Sequence, residues 1–134
     1  MDDIFVARIM STDLRTVSPD TLVEDAAELM LDSGVGSVLV VDEWNGLCGI
    51  LTSTDFVRIV ANQQPKDRTP VSKYMTADPV TTTAQASIAE AADAMVDEGF
   101  HHLPVVDDEE GLIGMVTTTD LAAYVAALER EAAA

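Results

Sequence analysis

The chain has 134 residues, of which 48% are hydrophobic, so it can bury the core of one compact domain or of two small fused halves. The formal net charge is −17, from 24 acidic against 7 basic residues, which leaves no basic patch for nucleic acid. No apolar run reaches the roughly 18 residues of a membrane span, and the acidic N-terminus lacks the basic region of a secretory signal, so we expect a cytoplasmic protein.

An internal repeat organises the chain. Residues 10–56 align without a gap with residues 75–121, at a shift of 65 positions. The identical pairs fall on turns, core positions and strand ends, as a duplicated fold would retain them. They are Met10/Met75, Thr16/Thr81, Ala26/Ala91, Ala27/Ala92, Met30/Met95, Gly34/Gly99, Val40/Val105, Val41/Val106, Asp42/Asp107, Gly46/Gly111, Gly49/Gly114, Thr52/Thr117 and Asp55/Asp120.

Each half begins with a short extended segment and a helix. The extended segments lie around 16–17 and 81–82, and the helices are predicted over 22–33 and 87–98, where apolar residues recur at i, i+3, i+4 and i+7. Either Asp20 or Thr21 can cap the first helix. The residues that suit the left-handed position after each helix are Gly34 and Gly99.

Two apolar strands with a turn between them follow in each half. They are predicted over 37–41 and 47–51 in the first half, and over 103–106 and 112–116 in the second. A last helix then begins at a threonine-rich run. Its inward-facing residues are predicted to be Phe56, Ile59 and Val60 in the first half, and Leu121, Tyr124, Val125 and Leu128 in the second.

These elements divide the chain into a first repeat over 1–61, a linker over 62–70, a second repeat over 71–128 and a frayed tail over 129–134. The linker is polar and contains two prolines, which is typical of a connection between folded segments. The tail is a short terminal run that we expect to be poorly ordered.

Both copies of the second strand end in threonines and one aspartate, as LCGILTSTD over 47–55 and LIGMVTTTD over 112–120. A duplicated strand that ends in hydroxyls and a carboxylate is typical of a pair of equivalent ligand-binding sites. The alternative is structural, because these residue types also cap helices and suit the positive end of the helix dipole. The residues to which both interpretations apply are Thr52, Asp55, Thr117 and Asp120.

Other reactive side chains favour structural roles. A lone cysteine, Cys48, lies in an apolar strand and is expected to be a buried small hydrophobe. The adjacent His101 and His102 would point in opposite directions on an extended chain, which disfavours a two-ligand metal site. The chain lacks the sequence motifs of hydrolases, zinc proteases and nucleotide-binding loops, so we do not expect an enzyme.

The ordered, twice-repeated motifs Ala-Ala-x-x-Met, Val-Val-Asp-x-x-x-Gly and Gly-x-x-Thr-x-x-Asp resemble those of the CBS domain, named for cystathionine β-synthase. The resemblance covers residues 6–125 and indicates a tandem pair. It implies an α+β fold of two β-α-β-β-α repeats that pack with pseudo-twofold symmetry. It also implies a sensor of adenine nucleotides or related adenosyl ligands, bound in clefts between the repeats.

In the family each cleft takes the first strand and post-helix turn of one repeat and the strand end of the other. Carried over to this sequence, the resemblance implies two sets of ligand-binding residues. Cleft 1 would use Thr16, Val17, Val35, Gly36, Ser37, Thr117, Thr119 and Asp120. Cleft 2 would use Thr81, Thr82, Phe100, His101, His102, Thr52, Thr54 and Asp55.

The two clefts are expected to differ in the ligand they prefer. His101 and His102 give cleft 2 better phosphate donors than Gly36 and Ser37 give cleft 1. The resemblance allows AMP, ADP, ATP or an S-adenosylmethionine-like ligand. Because basic residues are scarce, we expect AMP, or a neutral or cationic adenosyl compound, to be preferred over ATP. The nearby basic candidates are Arg8, Arg15 and Lys73. No required cofactor and no metal are expected.

The sequence is therefore interpreted as a stand-alone sensor, a homodimer that signals to a regulated partner protein, without nucleic acid or membrane. The alternative is a ligand-free interaction scaffold whose clefts are vestigial. The acidic residues are spread along the chain, which favours a surface suited to a very salty cytoplasm over a docking face for a basic partner.

Overall fold

The computed structural model describes residues 4–133, which form an α+β fold with two copies of a strand-and-helix repeat. The backbone separates into two compact units. Unit one comprises residues 4–13, 80–109 and 113–133, and unit two comprises residues 14–79 and 110–112. No helix among the described residues is long and apolar enough to cross a membrane.

Unit two contains one four-stranded sheet with two helices. Its elements are β1 (Thr16–Val17), α1 (Val23–Ser33), β2 (Ser37–Val41), β3 (Leu47–Thr52), α2 (Ser53–Ala61), a 3-10 turn (Val71–Lys73) and β4 (Thr76–Ala77). The strand order is β1-β2-β3-β4. Strand β1 runs parallel to β2, and the other neighbours are antiparallel.

Unit one repeats this arrangement around a two-stranded sheet. Its elements are a 3-10 turn (Val6–Arg8), α3 (Ile88–Glu98), β5 (His102–Asp107), β6 (Gly111–Thr117), whose first two residues belong to unit two, and α4 (Thr118–Ala133). Isolated bridges extend the sheet at both edges, parallel between Thr82 and Val105 and antiparallel between Ser11 and Met115. Both bridges occupy the registers that β1 and β4 have in unit two, 65 positions away.

The outermost strand pairing in each unit comes from the opening segment of the other repeat. Residues 4–13 lie in unit one with the second repeat, and residues 71–79 lie in unit two with the first. The backbone N–H of Val6 donates to Ala86 O, and that of Val71 donates to Thr21 O, both at 2.8 Å. The compact units therefore do not follow the boundaries of the sequence repeats.

The same leading segments supply the N-terminal hydrogen bonds of α1 and α3. The N–H of Val23 donates to Thr69 O at 2.9 Å, and the N–H of Ile88 donates to Ile4 O at 2.8 Å. The N-cap of α1 is Leu22, without a side-chain cap, so the sequence-based expectation of a cap by Asp20 or Thr21 was wrong. A backbone carbonyl from a distant segment fills the role of the expected side chain.

The C-terminal ends of α1 and α3 confirm the sequence-based expectation. Gly34 and Gly99 have φ of 66° and 71°, the left-handed conformation that glycine adopts without steric cost. Each helix packs its small and methionine residues on a separate core. In unit two this core includes Val23, Ala26, Met30, Val38, Val40, Leu51, Ile59 and Val71; in unit one it includes Val6, Ala91, Met95, Leu103, Val105 and Val116.

Three side chains that were expected to face inward do not do so. Val60 and Val125 are 77% and 53% exposed, and Leu128 is also exposed, so they do not face inward. Helix α2 buries Asp55 and Ile59, and Val60 lies about 100° around the helix from Ile59. Residues 129–133 continue helix α4, and the expectation of a frayed tail stays a prediction.

The segment 62–70 between the repeats is held against unit two by polar contacts. The hydroxyl of Thr69, which is buried, donates to Pro65 O at 2.7 Å. Lys73 Nζ donates to Gln64 Oε1 at 2.7 Å. This polar segment therefore has specific hydrogen bonds, and its Thr69 carbonyl is the group that caps α1.

Candidate functional site

The strand end of unit two is a reciprocal cap between Thr52 and Asp55. Strand β3 ends at Thr52, and the backbone N–H of Thr52 donates to Asp55 Oδ2 at 2.8 Å. The Thr52 hydroxyl in turn accepts the N–H of Asp55, which completes a capping box. Asp55 is only 3% exposed. Its other oxygen, Oδ1, accepts from Arg58 NH1 at 3.2 Å.

The strand end of unit one has the same cap, between Thr117 and Asp120. The N–H of Thr117 donates to Asp120 Oδ2 at 2.8 Å, and the N–H of Asp120 donates to the Thr117 hydroxyl at 3.1 Å. Asp120 is half-buried. The position equivalent to Arg58 is Ala123, so the duplication does not extend to the ion pair.

The structural interpretation of these four residues is therefore confirmed: they cap α2 and α4. Capping leaves part of each carboxylate available, because Oδ2 alone accepts the backbone N–H in both repeats. Oδ1 of each aspartate lies outside the cap, and that of Asp55 accepts from Arg58 NH1. A role in ligand binding is compatible with the cap and stays a prediction.

The turn after each first helix lies beside the strand end of its own repeat. Ser37 is the register partner of Thr52, and the N–H of Ser53 donates to Gly36 O at 3.3 Å. In unit one the N–H of Thr118 donates to His101 O at 3.1 Å. The structure thus brings together, within each unit, turn and strand-end residues that the sequence assigned to different clefts. The pairing of each turn with the strand end of the other repeat stays a prediction.

The first strands of the repeats lie parallel to the strands that follow the turns. Thr16 is the register partner of Leu39, and Val17 that of Val40. Thr82 donates its N–H to Pro104 O and accepts from Val106 N–H, both at 2.9 Å. The backbone of Thr82 is therefore engaged on the side that faces β5.

Each unit holds eight of the sixteen residues that the resemblance implies. Unit two holds Thr16, Val17, Val35, Gly36, Ser37, Thr52, Thr54 and Asp55. Unit one holds Thr81, Thr82, Phe100, His101, His102, Thr117, Thr119 and Asp120. The equivalent apolar residues Val35 and Phe100 are 37% and 38% exposed. A side chain that packs against the base of a ligand needs such exposure.

His102 differs from His101 in its surroundings. His102 is half-buried at the start of β5, whereas His101 is exposed. Burial lowers the pKa of His102, and the neighbouring His101 lowers it further. The neutral imidazole of His102 is therefore favoured at neutral pH, where it can donate or accept one hydrogen bond.

Cys48 has the surroundings of an unreactive thiol. Its Sγ lies 3.7 Å from Gly46 O. Burial raises the pKa of Cys48, and the carboxylates of Asp42 and Asp78 raise it further. Since the thiolate is the nucleophile, a raised pKa disfavours reactivity. Within residues 4–133, no group of three His, Cys, Asp or Glu side chains is arranged to hold a metal ion.

Arg58 is the residue that the sequence analysis overlooked. Of the three basic candidates named from the sequence, Arg15 Nε donates to Ser33 Oγ at 2.9 Å, and Lys73 contacts Gln64. Arg58 instead contacts the strand-end carboxylate itself. The Asp-x-x-Arg spacing on a predicted helix would have revealed it, because residues three apart are neighbours on a helix surface.

Comparison with known proteins decides the family. The family model described as "CBS domain" matches residues 6–62 and 71–127. The chain belongs to the CBS domain family. The tandem pair and the α+β fold inferred from the repeated motifs are thereby confirmed.

Two solved CBS structures resemble this CBS chain in fold. CBSX2, whose structure is a complex with AMP, is 25% identical with a TM-score of 0.84, over 93% of this chain and 98% of that one. The CBS domain pair of protein MJ0100 was solved with 5′-methylthioadenosine and S-adenosyl-L-methionine. It is 24% identical with a TM-score of 0.84, over 94% of this chain and 98% of that one.

A sequence relative is also known from Acidianus ambivalens. This uncharacterized 17.7 kDa protein, from the bps2 3′ region, is 35% identical over 117 residues, which make up 87% of this chain and 70% of the relative. CBS-pair proteins are regulatory, and the solved neighbours bind adenosyl compounds.

Proposed function

We propose that this CBS pair is a regulatory module that binds an adenosyl ligand, with AMP preferred over ATP, and signals to a partner protein. One ligand would engage Asp55 and another Asp120. The neighbours that bind AMP, 5′-methylthioadenosine and S-adenosyl-L-methionine support the adenosyl class. The scarcity of basic residues, 7 in the chain, supports AMP over a triphosphate.

The observation that carries the proposal is the duplicated strand end. Asp55 and Asp120 each use Oδ2 for the backbone cap, which fixes the carboxylate in place. A fixed carboxylate suits the two adjacent hydroxyls of a ribose, because it accepts hydrogen bonds only. The exposed hydroxyls of Thr54 and Thr119 lie in the first turns of α2 and α4, where N–H groups and the helix dipole favour a phosphate.

Ligand binding is the proposed activity, without turnover. The chain contains none of the catalytic motifs considered above, and Cys48 has a raised pKa. A bound ligand would shift the population of conformations and change a surface that a partner reads. The partner and the cytoplasmic location belong to the proposal.

Titration calorimetry with AMP, ADP, ATP and S-adenosylmethionine in high salt tests the proposal. We expect AMP to bind below millimolar and more tightly than ATP. Asp55→Ala and Asp120→Ala should each remove one binding event while the melting transition persists. If none of the four ligands binds below millimolar, the sensor proposal fails.

A ligand-free scaffold is the second candidate, and one observation favours it. The strand-end carboxylates already have a structural role as caps. Large apolar side chains are exposed at equivalent positions in the two repeats, namely Leu31 with Val96 and Val60 with Val125. These exposed residues support a homodimer in either case. Sedimentation of the chain with and without AMP separates the candidates, because only a sensor changes its mass or shape with ligand.

A further inference from the structure

The two strand ends share one geometry but differ in charge. Asp55 Oδ1 lies 3.2 Å from Arg58 NH1, so the carboxylate of unit two is paired with a cation. Ala123 occupies the equivalent position in unit one. Within residues 4–133, the Asp120 carboxylate accepts a hydrogen bond from Thr117 alone. One strand-end carboxylate therefore has a guanidinium beside it, and the ion pairs among these residues include none for the other.

This difference in charge decides how well each end tolerates a phosphate. A phosphate monoester carries nearly two negative charges at neutral pH, so an unpaired carboxylate repels it. A guanidinium attracts the same group and hydrogen-bonds its oxygens. The charge at residue 58 or 123 therefore discriminates between AMP and adenosine, which differ only in the phosphate.

Arg58 is placed so that it can contact a phosphate while it keeps its hydrogen bond to Asp55. Its side chain is 64% exposed, whereas that of Asp55 is 4% exposed. The exposed guanidinium has five N–H donors and uses one of them on Asp55 Oδ1. The remaining donors are available to a phosphate at the first turn of α2, where the helix N-terminus also favours an anion.

We infer that Arg58 determines specificity: the Asp55 end takes a phosphorylated adenosine nucleotide, and the Asp120 end takes an adenosyl ligand without a phosphate. The Asp120 ligand is neutral or cationic, since no described residue places a guanidinium beside that carboxylate. This inference rests on the proposed function and assigns a ligand class to each of its two ends. Arg58 alone supplies the positive charge that separates the two ligand classes.

The experiment compares AMP with adenosine by calorimetry on single-end variants. In an Asp120→Ala background, which isolates the Asp55 end, Arg58→Ala should weaken AMP binding about tenfold and change adenosine binding by less than about twofold. Arg58→Lys should restore part of the AMP affinity. In an Asp55→Ala background, Ala123→Arg should strengthen AMP binding about tenfold and leave adenosine binding unchanged.

A matched control removes a positive charge elsewhere on unit two. Arg68 is exposed and lies 3.6 Å from Asp67, so Arg68→Ala lowers the net charge equally without altering the strand end. If Arg58→Ala weakens AMP and adenosine equally, or Arg68→Ala matches its effect on AMP, the inference is overturned while ligand binding stands. If neither ligand binds the unaltered chain, the proposed function is overturned, and the inference with it.

Discussion

Gly49 lies against the side chain of Met75, so closely that a Cβ atom built on Gly49 would stand 2.7 Å from Met75 Sδ. The same relationship recurs between Gly114 and Met10, again at 2.7 Å. Each methionine belongs to the opening segment of the other repeat, and each glycine lies in the strand with which this segment pairs. The Gly-x-x-Thr motif therefore has glycine at this position because a methionine from the opening segment of the other repeat packs against it.

Alanine at either glycine should destabilise the fold, and more so at Gly49. A Cβ at Gly49 would also meet Thr76 O at 2.7 Å, whereas at Gly114 the nearest backbone atom is Ser11 O at 3.2 Å. Backbone yields less readily than a methionine side chain, so we expect a loss of about 2–3 kcal/mol for Gly49→Ala and about 1–2 kcal/mol for Gly114→Ala. Urea unfolding measures both.

Double variants separate the two sources of strain. Met10→Ala should relieve most of the penalty of Gly114→Ala, because the Met10 side chain makes the closest contact there and Ser11 O is farther away, at 3.2 Å. Met75→Ala should relieve the penalty of Gly49→Ala only in part, because Thr76 O remains. Equal rescue in both pairs would contradict this account.

Removing the strand-end carboxylates should cost the stability of a helix cap. Asp120→Ala loses the cap of α4 and should cost about 1 kcal/mol. Asp55→Ala loses a more buried cap and leaves Arg58 unpaired, so we expect about 1–2 kcal/mol. Asp93→Ala, on the exposed face of α3, is the control and should stay within about 0.5 kcal/mol. Thermal unfolding of all three variants tests the order.

The duplication made most local structure predictable from the sequence. Residues that match at a shift of 65 mark the helix ends at Gly34 and Gly99, the strand registers and the strand-end caps. Such features depend on residues close in sequence, whose conformational preferences are visible in the amino acids themselves. The candidate aspartates were found for the same reason.

Features that join distant segments were not predictable in this way. The cap of α1 is the backbone carbonyl of Thr69, and any residue type carries that group. The exchange of sheet edges depends on the Met75 and Met10 contacts, which pair positions far apart in the chain. Val60 is exposed because α2 buries the face that carries Asp55 and Ile59. The sequence does not show which face is buried, since Val60 is apolar and adjoins the apolar residues of that face.

Acidification should destabilise the protein through His102. Because burial lowers its pKa in the folded state, the unfolded chain binds a proton at His102 more readily. The contribution of this neutral histidine is therefore present above its unfolded pKa of about 6.5 and is lost as the pH falls through the lower folded pKa. Urea midpoints at pH 7.5, 6.5 and 5.5 should fall accordingly.

Replacement of each histidine identifies the group responsible. His102→Asn should flatten the dependence of the urea midpoint on pH over that range. Any slope that remains comes from the carboxylates. His101→Asn should leave most of it, because His101 is exposed. A pH profile that is flattened by His101→Asn and not by His102→Asn would contradict the assignment.

Salt should stabilise the chain markedly. The net charge of −17 repels itself in the compact state, and screening by salt removes that repulsion. We expect the melting temperature to rise by several degrees between 0.1 and 2 M KCl, with most of the rise at the low end, where the screening length changes most. Equal stability at both concentrations would count against adaptation to a salty cytoplasm.

The central claim is that the duplicated strand ends hold an adenosyl ligand, and backbone amide NMR tests it most directly. In high salt, a titration of the ¹⁵N-labelled chain with AMP should shift the amides of residues 52–55 before any others, and a titration with S-adenosylmethionine should do the same for residues 117–120. The account predicts that Asp55→Ala abolishes the first set of shifts and Asp120→Ala the second. Saturable shifts confined to other segments, or none at millimolar AMP, would contradict it.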